Sequence, residues 1–575
     1  MSNQPARQPV SRRRFLAVFV GGVTVIPLLA ACSSAPQAGA PTSAPAAAPT
    51  TAPAAPTTAP AAAPTTAAAA PPVAAAAPTT VAAVPAATAA PGVAGAAPTG
   101  TMTFLSAEHL LGTWDPTAHT SLAMLRDEPA AYDYLLDSDE NKKLIPMLAT
   151  EWKNVAPDTW QFKLRPNVKY HDGQTLNAEN VKAAIEYASG KDQVSYFWFP
   201  GSVTVDIVDN MTVNLKTAGP AASLLYTLTM IPITAADDVN NKDNFKRKQN
   251  GTGMFRFVKF ENDAAYYEAN TEYWNGPPKL KSFVFKFVQD PATRLAALRS
   301  GEADMIDRVE SEHVPIIEGD SKLYVDKKNT VETKWLAFKS KKEPFQNNPK
   351  LRQAIAYAID RETLVRDILQ GYGKVSDSFL SPEAFGYQPS PSNIKYDPDM
   401  AKKLLADAGH PDGKDLPELG YVTSVGFYPK TKEYGEFIVA NLQAIGLQAN
   451  LIPMEIGALY AGIFNPTPDW HMADHGFMPT TPEPDVFIRT LYHSPGLIAN
   501  IDDRAIDDAL DAEKREIDFD KRTQVLTTQT VPTLYNEMPA VPLFVSQLVT
   551  GVSKRVQNLV IRSTSKFPLH EVIVT

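Results

Sequence analysis

Hydrophobic and polar residues alternate with a period of two in several short segments of the chain. Trp160, Phe162 and Leu164 alternate with polar neighbours, which is the pattern of a strand with one buried face. The run at 282–288 is nearly all apolar, which predicts a buried strand. Further strands are predicted at 203–207, 211–215, 255–257 and 447–452.

Helical periodicity begins after residues that commonly cap helices. Asn177 precedes apolar residues at helical spacing, from Val181 to Ala188. Asp-Pro or Asn-Pro pairs predict the start of helices at 291–300, 349–358 and 398–408. Asp360 predicts a helix at 361–370, and periodicity alone predicts one at 436–446. Strands and helices therefore alternate through residues 101–575, which predicts the α/β fold class.

Residues 33–100 lack this periodicity. They contain 31 Ala, 14 Pro and 11 Thr among 68 residues, with no charged residue and no aromatic ring. Such a composition offers no core large enough to offset the entropy of ordering. Proline disfavours helix and biases the backbone to extended forms. We interpret this segment as a tether.

The first 31 residues have the pattern of an export signal. Arg12, Arg13 and Arg14 precede an uncharged, mostly apolar run at 17–31. That run is shorter than the ~20 residues that a spanning helix needs. Small residues precede Cys32, as in the lipobox of bacterial lipoproteins, and the arginines resemble a twin-arginine signal. We therefore expect Cys32 to be lipidated and to anchor the protein to the outer face of the cytoplasmic membrane.

Length, charge and cysteine count exclude several classes of protein. The 575 residues carry a formal net charge of −9, and Cys32 is the single cysteine. One cysteine excludes an intrachain disulfide scaffold. An acidic chain does not fit a nucleic-acid-binding protein, which needs a basic face. A chain this long exceeds the size of one hydrophobic core, roughly 250–300 residues, so at least two lobes are expected.

Sequence motifs of residues 101–575 resemble those of a transport family. PMLATEW at 146–152 fits the pattern P-x-L-A-x-x-W, and QFKLRPNVKYHDG at 161–173 fits a neighbouring pattern. Other matching segments lie at 177–181, 251–255, 270–274, 296–304, 349–361 and 538–544. In this order they resemble the solute-binding proteins of ABC importers of family 5, the peptide/nickel type that includes dipeptide- and oligopeptide-binding proteins.

The resemblance implies a two-lobed periplasmic-binding-protein fold of the large class, joined by a hinge. The predicted organisation is a signal peptide at 1–31, a lipidated cysteine with a tether at 32–100, a first lobe with an extra subdomain at 101–340, a second lobe at 341–540, and a return to the first lobe at 541–575. The resemblance also implies an extracytoplasmic monomer that passes a solute to an ABC-transporter permease, without catalytic residues, cofactor or bound metal.

One segment departs from the pattern of the family's peptide binders. These proteins carry an aspartate three residues after a Gly-Trp pair, and that aspartate binds the peptide's α-amino group. Here Phe477 stands in the place of the tryptophan and Thr480 in the place of the aspartate, and Asp474 is the nearest acid. A hydroxyl group does not neutralise an ammonium, so a neutral or sugar-like solute becomes as plausible as a peptide.

Five residues are candidates for lining the ligand site. Trp114 lies in a Trp-Asp-Pro loop and Trp198 in the aromatic run at 196–199, of which at least one ring is expected to face cleft or solvent. Trp470, Phe477 and Thr480 follow from the departure at the family motif. Aromatic rings stack on apolar or sugar faces, and a hydroxyl forms neutral hydrogen bonds. For Trp114, a self-packed surface turn is an alternative, and for Trp198 and Trp470 the alternative is a place in the core.

The sequence is compatible with two other classes of function. An exported enzyme would need catalytic motifs, and no G-x-S-x-G, Walker A or H-E-x-x-H motif occurs. A ligand-presenting receptor would suit the tether equally well. His471 and His475 are four residues apart and would share a metal only if the segment were helical.

Overall fold

The computed structural model describes residues 97–107, 114–117, 128–425, 428–464, 468–477, 480–494 and 501–575. The predictions of a signal peptide and a lipidated Cys32 concern residues outside these ranges, and so does the predicted tether up to residue 96. At its end the predicted tether is too long, because Thr99 and Gly100 belong to the strand Thr99–Ser106, in which Thr99 pairs with Leu280. In the described residues, no helix combines the length and the apolar character needed to cross a membrane.

The described part contains nineteen strands. They are β1 (Thr99–Ser106), β2 (Leu136–Ser138), β3 (Leu144–Pro146), β4 (Ala149–Ala156), β5 (Thr159–Leu164), β6 (Thr204–Asp209), β7 (Thr212–Lys216), β8 (Phe255–Glu261), β9 (Ala264–Ala269), β10 (Leu280–Phe287), β11 (Met305–Ile306), β12 (Leu323–Phe338), β13 (Gly373–Val375), β14 (Leu419–Ser424), β15 (Ala449–Met454), β16 (Met472–Phe477), β17 (Ala540–Ser553), β18 (Val556–Gln557) and β19 (Ile573–Val574).

The α-helices of the described part alternate with these strands. They span Ala178–Ala188, Ser223–Thr227, Ala236–Asn240, Pro291–Ser300, Val314–Glu318, Pro349–Ala358, Arg361–Thr363, Pro398–Asp407, Thr431–Ala444, Ile456–Phe464, Asp485–Tyr492, Arg504–Arg515, Phe519–Val525 and Val531–Glu537. Two of them continue into π-helical turns, at Leu364–Ile368 and Leu526–Thr530. The alternation confirms the predicted α/β class.

Helix starts follow the capping residues that the sequence indicated. Asn177 forms a reciprocal capping box with Asn180, at 3.1 Å in both directions. Asp290, Asn348 and Asp397 each accept a hydrogen bond from the third residue of the helix that follows. Each cap satisfies a backbone N–H that would otherwise lack a partner.

Two predicted elements differ in detail from the observed ones. β10 buries Phe283 and Phe285 but leaves Lys281 exposed, so it has one buried face rather than two. The helix predicted from residue 436 begins at Thr431. Both differences arise because tertiary packing, which decides burial and helix ends, is only partly encoded in local periodicity.

β12 and β17 are the longest strands, and they connect the two halves of one eleven-stranded sheet. They pair antiparallel from Leu323↔Ser553 to Asn329↔Gln547 and again from Thr333↔Val545 to Ala337↔Ala540. The register is irregular between these stretches. One end of the sheet continues through β11, β1, β10, β9 and β8, and the other through β16, β14 and β15. We call these halves the first and second lobes; the lobe bounds at residues 340 and 540 stay predictions.

The hydrophobic core is divided in the same way. One cluster of buried residues contains Trp335 and most of the buried apolar side chains up to Phe544. Two further clusters pack on the first-lobe half of the large sheet. A fourth contains residues of a separate four-stranded sheet, with the order β4-β5-β7-β6, and the helix Ala178–Ala188. We call this last unit the subdomain; its assignment to the first lobe stays a prediction.

Candidate functional site

The two lobes contact each other through short polar segments. Thr481 of the second lobe donates a hydrogen bond to the carbonyl of Tyr226 at 3.3 Å. The Lys142 ammonium donates to the carbonyl of Pro382 at 2.7 Å, and the Lys514 ammonium to that of Pro200 at 2.8 Å. Because these contacts use backbone carbonyls on the opposite lobe, they hold the lobes together without an interlobe ion pair at these three points.

Three aromatic rings meet where these lobes approach. Tyr226 comes from the first lobe, and Phe385 and Phe519 come from the second. Ring centroids are 5.6 Å apart for Tyr226 and Phe385, 5.9 Å for Tyr226 and Phe519, and 5.4 Å for Phe385 and Phe519. These distances are typical of favourable aromatic pairs. The cluster therefore forms an apolar surface shared by both lobes.

A cavity of about 1030 Å³ opens beside this aromatic cluster. Small-molecule sites commonly enclose about 300–1,000 Å³, so the space suits a solute of several linked units. Both lobes line it, with residues Asn141, Lys142, Lys143, Leu144, Pro146, Thr150, Glu151, Trp152, Lys153, Gln161, Lys163, Thr212, Leu225, Tyr226, Ala384, Phe385, Gly386, Tyr387, Gln388, Phe519 and Thr523. We call this cavity the interlobe groove.

Each wall of the interlobe groove is built by a regular element. β3 and β4 supply the first-lobe side, together with the polar face of β5 and β7. On β5, Phe162 points into the subdomain core, so the neighbouring Gln161 points to the opposite face, which lines the groove. The helix Phe519–Val525 supplies two second-lobe residues and is capped by Asp518. The Tyr387 hydroxyl donates to Asp377 at 2.7 Å, which fixes that ring at the rim.

The ionisable residues of the interlobe groove are mostly basic. Four lysines and a single glutamate line it. The ammonium of Lys142 is used in the contact with Pro382, and burial lowers its pKa while Glu383 partly offsets the effect. Lys163 lies 3.8 Å from Glu151, and both side chains are well exposed. Lysines therefore outnumber acidic residues in the lining of this cavity, in a chain whose net charge is −9.

Three of the five predicted site residues occupy packed environments. Trp114 is 6% exposed and packs on Phe257 and Phe260 of the first lobe. Trp198 is 4% exposed in the subdomain core, and Trp470 packs in the second-lobe core with Lys339 over its ring. For Trp198 and Trp470 the structure matches the alternative of a place in the core, so we leave these tryptophans out of the proposed site.

A neighbour of Trp198 reaches the second lobe instead. Phe197 is half-buried and packs against the second-lobe core, while Trp198 turns into its own subdomain. The aromatic run at 196–199 forms a tight 3₁₀ turn, Val194–Trp198, rather than a strand. Such a turn distributes successive side chains around its axis, which places rings on both the inner and outer sides.

Phe477 and Thr480 lie close to the place where the lobes meet, but neither lines the interlobe groove. Phe477 packs against both the second-lobe core and the subdomain core. Thr480 is 2% exposed, and its hydroxyl has no hydrogen-bond partner among the described residues. It precedes Thr481, whose hydroxyl contacts the first lobe. A direct ligand contact by Phe477 or Thr480 stays a prediction.

Asp474 does not replace the missing aspartate at position 480. Its carboxylate is fully buried and accepts hydrogen bonds from the Tyr421 hydroxyl at 3.1 Å and from the Tyr434 hydroxyl. Burial raises the pKa of this carboxyl, and the nearby Lys334 ammonium opposes the shift. Tyr434 lies on the helix that covers this face of the second-lobe sheet, so Asp474 points into the second lobe.

His471 and His475 do not form a metal site. His475 lies in β16, and His471 is the residue directly before this strand, so the segment is extended and not helical. Four residues of strand span about 13 Å, too far for two ligands of one ion. The described residues contain no cluster of three or more His, Cys, Asp or Glu side chains that could hold a metal.

Sequence reasoning missed the residues that line the interlobe groove. Tyr226, Phe385 and Phe519 are separated by more than 100 residues in the chain, and each lies in a short segment with no distinctive motif. Trp152 stands out in the sequence only as the last residue of the PMLATEW pattern at 146–152. No local signal distinguishes such rings from core aromatics, because their role depends on the approach of distant segments.

Known proteins with similar sequences bind solutes. A family model described as "Bacterial extracellular solute-binding proteins, family 5 Middle" matches residues 143–497. The glutathione-binding protein GsiB of Pectobacterium atrosepticum is 29% identical over 337 residues, which are 57% of this chain and 64% of that protein. The heme-binding protein A of Haemophilus influenzae is 27% identical over 458 residues, covering 72% of this chain and 81% of that protein.

A solved structure shares the fold. The periplasmic binding protein DppA of Helicobacter pylori, in complex with the peptide STSA, has a TM-score of 0.69 and 24% identity, and the match covers 83% of this chain and 98% of that one. This similarity shows the two-lobed periplasmic-binding-protein fold. Because the family model matches more than half of the chain, the protein belongs to the bacterial extracellular solute-binding proteins of family 5.

Proposed function

We propose that this protein captures a small solute of the peptide type in the interlobe groove and delivers it to an ABC-transporter permease. The observation that carries this proposal is a cavity of about 1030 Å³ whose walls come from both lobes. A solute that touches both walls stabilises the closed arrangement, because its contacts are complete only when the lobes are together. The permease would recognise that closed form.

The lining of the groove and the ligands of the relatives both support a peptide-type solute. The relatives named above bind glutathione, heme or a peptide, and all three ligands combine an apolar or extended body with carboxylates or amides. The groove has aromatic rings that can contact the apolar part of such a ligand and polar groups that can hydrogen-bond to its amides. A neutral, sugar-like solute would also stack on these rings, and it is the competing ligand in the test below.

We infer the location of the protein from the sequence pattern of its first hundred residues. A lipid on Cys32 would hold the protein at the outer face of the cytoplasmic membrane, since buried acyl chains contribute about 0.8 kcal/mol per CH₂. The Ala/Pro/Thr-rich tether would let the two lobes reach the permease while raising their effective concentration near it. A monomer is sufficient for this role.

The test is to identify what the purified full chain binds. Native mass spectrometry of the protein as isolated should show a bound solute, and its mass and fragmentation should identify a peptide or peptide-like compound. Titration calorimetry with short peptides and with neutral oligosaccharides then compares the two classes. A protein that carries no solute and responds to neither class would overturn the proposal.

A further inference from the structure

The interlobe groove reaches the outermost strand of the four-stranded sheet. Residues 150–153 of β4 all line it, and so do Gln161 and Lys163 of β5 and Thr212 of β7. The register of the β4–β5 ladder shifts between Ala149 and Glu151, which interrupts the alternation of side chains there. The groove therefore covers the polar face of this sheet and reaches its outermost strand, β4. Within the described residues, β4 is the outermost strand of the order β4-β5-β7-β6, and its ladder is with β5. At its first residue, the Ala149 N–H donates to the carbonyl of Leu135 at 2.9 Å, so the free part of the edge begins after Ala149.

A free strand edge presents main-chain N–H and C=O groups to a partner. An extended peptide can pair with such an edge, and the main-chain hydrogen bonds then supply affinity without reading side chains. The backbone bonds of residues 150–153 to other described residues are those of the β4–β5 ladder. The outer side of β4 thus offers the hydrogen-bonding groups that an extended chain needs.

Two lysines of the groove keep their charges available. Lys143 directly precedes β3, and Lys153 lies on β4, and both are exposed. Neither ammonium has a carboxylate within 4 Å or a side-chain hydrogen bond among the described residues. Lys142 and Lys163, by contrast, already have the partners described above. The unused cations therefore belong to the same groove as the outermost strand β4.

We propose that the groove selects an extended peptide with acidic side chains, which pairs with the edge of β4 and places its carboxylates near Lys143 and Lys153. This inference rests on the proposed function and adds the charge of the solute. The aromatic wall formed by Tyr226, Phe385 and Phe519 takes an apolar side chain on the opposite face of the bound strand, because neighbouring side chains alternate.

The experiment uses the full chain and three blocked pentapeptides. Acetyl-Ala-Glu-Trp-Glu-Ala-amide is compared by calorimetry with versions that carry Gln or Lys in place of both Glu residues. We expect the Glu peptide to bind roughly fivefold to tenfold more tightly than the Gln peptide, as expected for two exposed charge pairs. The Lys peptide should bind most weakly, and added salt should reduce the differences.

Substitutions connect this preference to the two lysines. The double variant Lys143→Gln, Lys153→Gln should bind the Glu and Gln peptides equally. Lys216→Gln is the matched control, since Lys216 lies on β7 of the same sheet, pairs with Asp158 at 3.9 Å and does not line the groove. This control should keep the preference for Glu.

Three outcomes would overturn the inference. The Gln peptide could bind as well as the Glu peptide, or the preference could survive in the double variant. A third outcome is that no peptide binds while another solute co-purifies, which would leave the capture of a solute intact but not its assignment to the peptide type. If neither peptides nor any co-purified solute were found, the proposed function would fail as well.

Discussion

Arg522 and Glu483 form a two-pronged ion pair in the interior of the second lobe. Nη1 lies 2.9 Å from Oε2, and Nη2 lies 2.5 Å from Oε1, with both side chains fully buried. Arg522 Nε also donates to Glu513 at 2.9 Å. The neighbouring residues Phe519 and Thr523 line the interlobe groove, and Glu483 follows the interlobe contact of Thr481. The pair therefore connects the groove wall to the segment that meets the first lobe.

Arg522→Met should destabilise the protein by about 3–5 kcal/mol, because it leaves Glu483 and Glu513 buried without their cation. Chemical denaturation followed by circular dichroism would measure the change in the free energy of unfolding. Arg515→Met is the control, since Arg515 pairs with Asp511 on the exposed face of a helix at 3.0 Å and should cost less than about 1 kcal/mol. Equal losses in the two variants would contradict a structural role for the buried pair.

Phe385→Ala should weaken binding of the Trp-containing pentapeptide by about 1–3 kcal/mol, because it removes one ring from the interlobe aromatic cluster. Calorimetry at constant salt would measure the dissociation constant. Tyr396→Ala removes a ring that is 48% exposed and does not line the groove, and it should leave the affinity unchanged. Unchanged affinity in Phe385→Ala would place the peptide elsewhere.

Thr480→Val should leave the free energy of unfolding unchanged or slightly raised, because the buried hydroxyl has no partner to lose among the described residues. Thr481→Val is the contrasting variant, since its hydroxyl bonds to Tyr226 and its loss should cost about 0.5–1.5 kcal/mol. If Thr480 binds solute, Thr480→Val will weaken binding without loss of stability. Unaltered binding of every solute tested would remove Thr480 from the site.

His475 makes the protein sensitive to acid. Burial lowers the pKa of His475 to about 3, with Lys334 and Lys339 adding to the shift, whereas the unfolded chain has an ordinary value near 6.5. At pH values between about 3 and 6.5, His475 is protonated in the unfolded state but neutral in the folded state. The free energy of unfolding therefore falls as the pH falls below about 6.5. The contribution is about 2 kcal/mol at pH 5.

His475→Gln should remove this part of the pH dependence, because glutamine does not take up a proton. Thermal unfolding of both proteins at pH 5 and pH 7.5 would show a smaller change in melting temperature for the variant. His313→Gln, at the surface turn Ser311–His313, is the control and should retain the wild-type pH dependence. An identical pH profile in wild type and His475→Gln would show that other groups carry the effect.

Cys32→Ser should release the protein from the membrane fraction, because it removes the thiol that we expect to carry the lipid. Cell fractionation and intact-mass measurement would detect the loss of acyl groups. Expression in a host with lipoprotein processing is required, and the wild-type chain is the reference. Membrane association that persists in Cys32→Ser would argue against lipid anchoring at this residue.

Local sequence patterns were sufficient for much of the fold. The capping residues Asn177, Asp290 and Asn348 and the alternation at Trp160 to Leu164 predicted their elements correctly, because caps and half-buried strands depend on residues close together in the chain. Motif order predicted the family. Caps and strand alternation each depend on a few neighbouring residues, so they can be predicted from a single sequence.

The site required the tertiary structure. Trp198 and Phe197 are adjacent and chemically alike, yet one packs inside its subdomain and the other reaches the second lobe. The rings of Tyr226, Phe385 and Phe519 meet across the two lobes, and the edge of β4 is free because of the order of its sheet. Residue type and spacing determined the elements and the family of this protein. Which side chains face the groove depends on packing between segments that are distant in the chain, and local sequence patterns do not contain that information.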